Sequence, residues 1–147
     1  MTSLLLPINK YQIQNTIFLE PTRNKIINNS YFIKILYSNS LFTMNGIYLY
    51  VPLEITNVQS IHNNKYKYIF NYNQNKSVIQ NLINIEETLL NKFNNNKYKR
   101  YICKDQLQNE YILTNKNIKT SQFIIKISGI WETDTTYGLS FKFINHP

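Results

Sequence analysis

The chain is 147 residues long and carries a formal net charge of +8, from 16 Lys and Arg against 8 Asp and Glu. That length fits one domain able to bury a core without disulfide or metal staples; the single cysteine rules out an internal disulfide, and glycine at positions 46, 129 and 138 alone rules out Walker-type and GxGxxG phosphate loops. Excess positive charge favours polyanions, nucleic acid first and an anionic membrane surface as the competing reading, and no stretch approaches the ~20 apolar residues of a spanning helix.

In chain order, the apolar run Leu4, Leu5, Leu6 stops at Pro7 and is too short for a signal peptide. Segments rich in β-branched and aromatic residues then predict strands over Gln12–Leu19, Tyr31–Tyr37, Leu41–Val51 and Tyr66–Tyr72. From Ser77 to Phe93 the period changes: Val78, Leu82, Ile85, Leu89 and Phe93 recur at helical spacing, and Ile79, Ile83 and Leu90 widen the stripe. Ser77 with Gln80 three residues on reads as a capping box, and Asn94–Asn96 ends the helix. Strands resume at Tyr98–Cys103 and Glu110–Leu113, and two more, Phe123–Trp131 and Tyr137–Ile144, flank the polar turn Glu132–Thr136 as a hairpin. Neither a repeat nor a linker divides the chain, so one domain over residues 1–147 is expected.

Aromatic side chains interleave with basic ones, the pairing a single strand requires, because cations follow phosphates while rings stack on bases. In Gly46–Pro52 alternation puts Ile47, Leu49 and Val51 on one face and displays Tyr48 and Tyr50 on the other. In Lys65–Tyr72 the rings Tyr66, Tyr68, Phe70 and Tyr72 share a face opposite Lys65 and Lys67. A row of four rings is more often a core face than a platform. The densest positive cluster is Lys97, Tyr98, Lys99, Arg100, Tyr101, with a solvated basic loop as its plain alternative.

In the C-terminal hairpin, alternation groups Tyr137, Leu139, Phe141 and Phe143 as core and sends Lys126 and Lys142 outward, where they suit phosphate contacts. Counting by twos also places Trp131 with Ile125 and Ile127, as a core residue or a stacking one. Gly129 and Gly138 allow a bulge or tight barrel closure, where a side chain would not fit. The residues Gly129, Ile130, Trp131, Glu132, then Tyr137, Gly138, Leu139, Phe141, Lys142 and Phe143, roughly the last sixth of the chain, resemble the C-terminal end of OB-fold single-stranded DNA-binding proteins of large cytoplasmic DNA viruses and cytoplasmic linear plasmids. The resemblance implies a small OB-fold-like β-barrel, mainly β with one helix at about 77–93, that coats exposed strands during DNA replication. A helix after a strand meander agrees with that fold, although more strands are expected than its five.

Catalysis is poorly supplied. Two histidines, His62 and His146, and one cysteine, Cys103, lack zinc-site spacing, Glu86 and Glu87 are adjacent on a helix and read as a solvated face, and Glu132 and Asp134 lie in a turn. No enzyme activity, cofactor or metal is expected. Alanine is absent and Asn, Ile, Lys and Tyr abound, as an A/T-rich coding sequence would give, so the Asn-rich loops and the Asn28 and Asn75 glycosylation patterns carry little weight. The expected partners are single-stranded DNA, with RNA not separable by any readable motif, further copies of the chain through exposed strand edges, and replication proteins. No membrane partner is expected, and the location is cytoplasmic, in a host cell or at a viral replication site, without secretion. Two other readings remain open: a factor recognising duplex DNA or its termini, and a self-associating structural or virion protein.

Overall fold

The computed structural model describes residues 5–115 and 122–145, so Leu4 and His146 lie outside it. Its elements are β1 (Leu6–Pro7), β2 (Thr16–Phe18), β3 (Thr22–Arg23), β4 (Tyr31–Ser38), β5 (Thr43–Asn45), β6 (Ile47–Pro52), β7 (Ile55–Ile61), β8 (Lys65–Phe70), α1 (Lys76–Phe93), β9 (Tyr98–Arg100), α2 (Ile102–Gln108), β10 (Tyr111–Thr114), β11 (Gln122–Glu132) and β12 (Thr136–Asn145). The protein is mainly β with one long helix. Nine strands form a large sheet in the order β1-β6-β11-β12-β9, with β4 joined to β11 and carrying β2, β3 and β5; β10-β8-β7 make a second sheet. The two sheets are not closed into a barrel.

The organising element is β11. Along one edge it pairs with β12 throughout; along the other, residues 122–127 pair with β6 and residues 129–132 with β4. The change of neighbour falls at a β-bulge between Ile127 and Gly129, where one extra residue bends the strand. Opposite it, Gly46 (φ 101°) separates β5 from β6, so the expected single strand Leu41–Val51 is two. A side chain there would be strained by that backbone and would meet the Ile127 carbonyl at 3.0 Å.

The core lies between the inner face of the large sheet, the small sheet and α1. Ile33, Ile35, Ile47, Leu49, Val51, Phe123, Ile125, Ile127, Ile130 and Tyr137 come from the large sheet, with Ile79, Leu82, Leu89 and Leu90 from α1. Tyr68 and Phe70 of β8 complete it, Tyr68 edge-on to Phe123 with centroids 5.1 Å apart. Helix α1 spans almost the expected residues, but no side chain caps its start. In place of the capping box, buried Asn75 accepts the Glu54 N–H (2.7 Å) and donates to the Glu54 and Asn71 carbonyls, tying the helix start to the end of β6. Asn94, left-handed, ends it with its N–H on the Leu90 carbonyl (3.1 Å).

Two other expected strands are shorter. Within Gln12–Leu19, Ile13–Asn15 is a 3-10 turn, and Lys92 of α1 donates to the Ile13 and Thr16 carbonyls at 3.0 Å. Tyr98–Cys103 stops at Arg100, and α2 follows. The asparagines do specific turn chemistry after all: Asn24, Asn39 and Asn71 accept N–H groups two residues on, and Asn63 and Asn64 take positive φ in the β7–β8 turn.

Candidate nucleic-acid interface

With one face of the large sheet in the core, the other is left to carry the side chains that alternate with it. On β6 these are Tyr48 and Tyr50, half-buried beside fully buried Ile47, Leu49 and Val51. Register puts Lys126 directly opposite Tyr48, and its ammonium sits 5.5 Å from the ring centroid, a cation–π contact. Lys142 is opposite Lys126 on β12 and exposed.

The bulge decides where Trp131 goes. Period-two counting aligns it with Ile125 and Ile127, but the extra residue at 128 flips the remainder of the strand, so Ile130 is buried and Trp131 shares the outer face with Lys126. Its cross-strand neighbour is Gly138. A Cβ at 138 would lie 2.7 Å from Trp131 Cζ2 and 2.9 Å from the Arg100 carbonyl, so the indole lies across the glycine. Phe32 of β4, paired with Trp131, covers Gly129 in the same way, and Lys34 is opposite Gly129. Phe32 and Lys34 were not singled out from sequence, yet alternation with buried Ile33 and Ile35 marks them.

The basic cluster at 97–101 divides by alternation. Lys97 donates to the Thr133 carbonyl (2.7 Å) and pairs with Glu132 (3.4 Å), which also accepts from Asn95. Lys99 donates to Asn91 of α1 (2.7 Å). Both lysines therefore serve the fold, and Glu132 is held by Lys97 and Asn95. Tyr98, 79 % exposed, and Arg100, exposed, point the other way, and Arg100 is in register with Gly138. Tyr101 packs against the core.

The Lys65–Tyr72 row is core, which corrects Tyr68 as a contact: at 1 % exposure it has no face to offer a base. Tyr66 is half-buried against the core. Lys65 is exposed, and Lys67 lies 4.7 Å from the Tyr111 ring centroid on the small sheet, opposite Leu113 of β10. The structure thus gathers Tyr48, Tyr50, Lys126, Trp131, Lys142, Tyr98 and Arg100 on one sheet face, adds Phe32 and Lys34, and leaves the other expected residues elsewhere.

Of the groups considered for catalysis, His62 is exposed in the β7–β8 turn and Cys103 is buried, its thiol pushed up by burial. Among the described residues no three His, Cys, Asp or Glu converge as a metal site. Glu86 corrects the reading of Glu86 and Glu87 as a solvated pair. It is 1 % exposed, and its two oxygens accept the Cys103 and Lys104 N–H groups (3.0 and 2.8 Å) that open α2. Burial raises its pKa to about 7 against those two bonds, with Asp105 and Glu87 adding repulsion. Its position should have shown this: residue 86 falls on the Leu82, Leu89, Leu90 stripe.

No family model, curated protein or solved structure matches the chain. Among the described residues, no helix is long and apolar enough to cross a membrane.

Proposed function

We propose that the protein is a non-enzymatic, sequence-tolerant single-stranded DNA-binding protein that covers exposed strands during replication, on an opened relative of the OB-fold barrel. The observation that carries this reading is the composition of the outer face of the large sheet, where three tyrosines, one tryptophan and one phenylalanine stand among Lys34, Lys126, Lys142 and Arg100. Rings offer stacking to any base, and the cations meet the phosphates between them. An open sheet face suits an unpaired strand, whose bases are free to lie against it. The C-terminal resemblance points to the same class, and the net charge of +8 supplies long-range attraction.

The test is fluorescence anisotropy with labelled single- and double-stranded DNA of equal length at two salt concentrations. Preference for the single strand is expected, with Tyr48→Ala and Tyr50→Ala each weakening binding by roughly 1–3 kcal/mol while leaving the domain folded. Weak binding to both forms, lost equally with salt, overturns the reading. A tighter grip on duplex ends would favour terminus recognition. The self-associating alternative has one observation behind it: β7 is an edge strand with Val58 and Ile61 exposed, and assembly at rising concentration without DNA would favour it.

A further inference from the structure

Phe32 and Trp131 lie at one end of the outer face. Their row runs in register through Thr22, Phe32, Trp131, Gly138 and Arg100, across β3, β4, β11, β12 and β9. One residue further on, β3 and β4 part into a loop over residues 24–30. Hydrogen bonds frame this loop. The Asn24 N–H donates to the Ser30 carbonyl (2.8 Å), and the Asn24 side-chain oxygen accepts the Ile26 and Ile27 N–H groups (2.9 and 3.4 Å). Asn29 turns the chain back with a φ of 57°, and Ser30 is buried. What the frame holds out is a pair of adjacent isoleucines, Ile26 at 93 % exposure and Ile27 at 57 %. Arg23, Lys25, Asn28 and Asn29 beside them are exposed as well. A single exposed apolar side chain needs no explanation. Two side by side, with their N–H groups tied down and cations next to them, make a preorganised contact.

We propose that this loop is a wedge for the terminal base pair of a duplex, at the point where the duplex gives way to the single strand held on the sheet face. The inference rests on the single-strand reading above and deepens it. Continuity with the face selects the occupant. A strand lying over Tyr48, Lys126 and Lys34 toward Phe32 and Trp131 leaves the face where β3 and β4 part, beside Ile26 and Ile27. The last base pair of a duplex shows one flat apolar plane rimmed by phosphates. The two isoleucines match the plane, and Lys25 and Arg23 match the rim. Isoleucine is among the side chains that DNA-binding proteins insert between base steps, and its branched side chain has few rotamers to lose. The apolar area is only two side chains wide with polar residues around it, small against the ~800 Å² each partner contributes to a stable protein interface. A base freed at the junction has the rings of Phe32 and Trp131 next in line to stack on. The wedge would then lower the cost of opening the duplex and feed the released strand to the face.

The experiment uses the full chain and four labelled DNAs at fixed salt: a bare single strand, the same strand as a 3′ overhang on a duplex, the same strand as a 5′ overhang, and the blunt duplex. It compares the wild type with the double variant Ile26→Asn, Ile27→Asn, whose melting temperature should be unchanged because both side chains stand in solvent. Wild type should bind one overhang roughly tenfold more tightly than the bare strand, the lower end of what burying one isoleucine contributes. Only one overhang should gain, since the loop stands at one end of the face and a DNA strand has direction. The variant should lose the gain and bind the bare strand as before. A 2-aminopurine placed in the first base pair gives a second readout: its emission should rise with wild type, as the base unstacks, and stay level with the variant. Absence of gain, equal gain on both overhangs, or a gain that survives in the variant overturns the wedge and leaves the single-strand reading standing. If the gain is absent while wild type alone sediments with vesicles of phosphatidylserine and phosphatidylcholine, the loop belongs to a lipid surface. Failure of wild type to bind the bare strand overturns the single-strand reading, and the wedge with it.

Discussion

Glu86 joins the two helices, and its titration makes the fold's stability depend on pH in a defined direction. Its side chain leaves α1 and accepts the Cys103 and Lys104 N–H groups at the start of α2. Burial lifts its pKa from the usual 4.5 to about 7. The folded state therefore binds this proton more tightly than the unfolded chain does. Between those two pH values the folded state holds more protons, so stability falls as pH rises through the interval and is level on either side. At about 1.4 kcal/mol for each tenfold change in proton affinity, the whole interval amounts to roughly 3 kcal/mol. In Glu86→Gln this dependence is gone, while one amide oxygen still accepts from α2. Urea unfolding of both proteins at several pH values between 5 and 8 isolates the effect, because the other titrating groups are common to both. The variant should gain on the wild type by roughly 2–3 kcal/mol from pH 5 to pH 8. Parallel curves, or a wild type that gains on the variant as pH rises, would show that the two N–H bonds outweigh burial and hold the carboxylate ionised throughout.

Three further outcomes separate residues of the face from residues of the core. Gly138→Ala sets a methyl group against the Trp131 ring and the Arg100 carbonyl; about 1–3 kcal/mol of stability should be lost, single-strand binding should weaken, and Trp131 emission in the free protein should shift. Arg100→Ala should lower the salt dependence of binding by about 0.7 in log–log slope, one phosphate's share for a single strand, whereas Lys97→Ala should leave the slope unchanged and lower the melting temperature. Tyr68→Ala should cost roughly 3–5 kcal/mol, as a large buried ring does, yet leave the affinity of the protein that remains folded as in wild type.

What could be read from the sequence, and what could not, follows from the range of the interactions involved. Helix α1 and strands β4 and β6 declare themselves because each buries one face against the core, and their apolar period records it. Strand β7 is exposed at almost every residue, so no period marks it; its signal was the Asn63–Asn64 turn that follows, hidden in a chain where Asn is everywhere. Helix α2 is seven residues long, too short to hold by its own propensity, and its start depends on a carboxylate sixteen residues earlier whose side chain must first be brought there by α1.

The position of Trp131 shows most sharply how a local rule fails at a site. Alternation is reliable only while pairing is unbroken, and one unpaired residue reverses every face beyond it. Gly129 hinted at a bulge, but a hint of a bulge does not say on which side of the tryptophan it falls. The bulge at Ser128 does two things together. It keeps Ile130 in the core, which the apolar pattern of the strand demands, and it bends β11 so that β6 gives way to β4 along its edge. A regular strand without the extra residue could keep Ile130 inside and Trp131 outside, but it would have no bend at which to exchange neighbours. It could then not place Phe32 and Lys34 in line with Tyr48 and Tyr50. The residue that breaks the alternation is thus the one that gives the sheet a continuous aromatic and basic face, and it does so through backbone geometry.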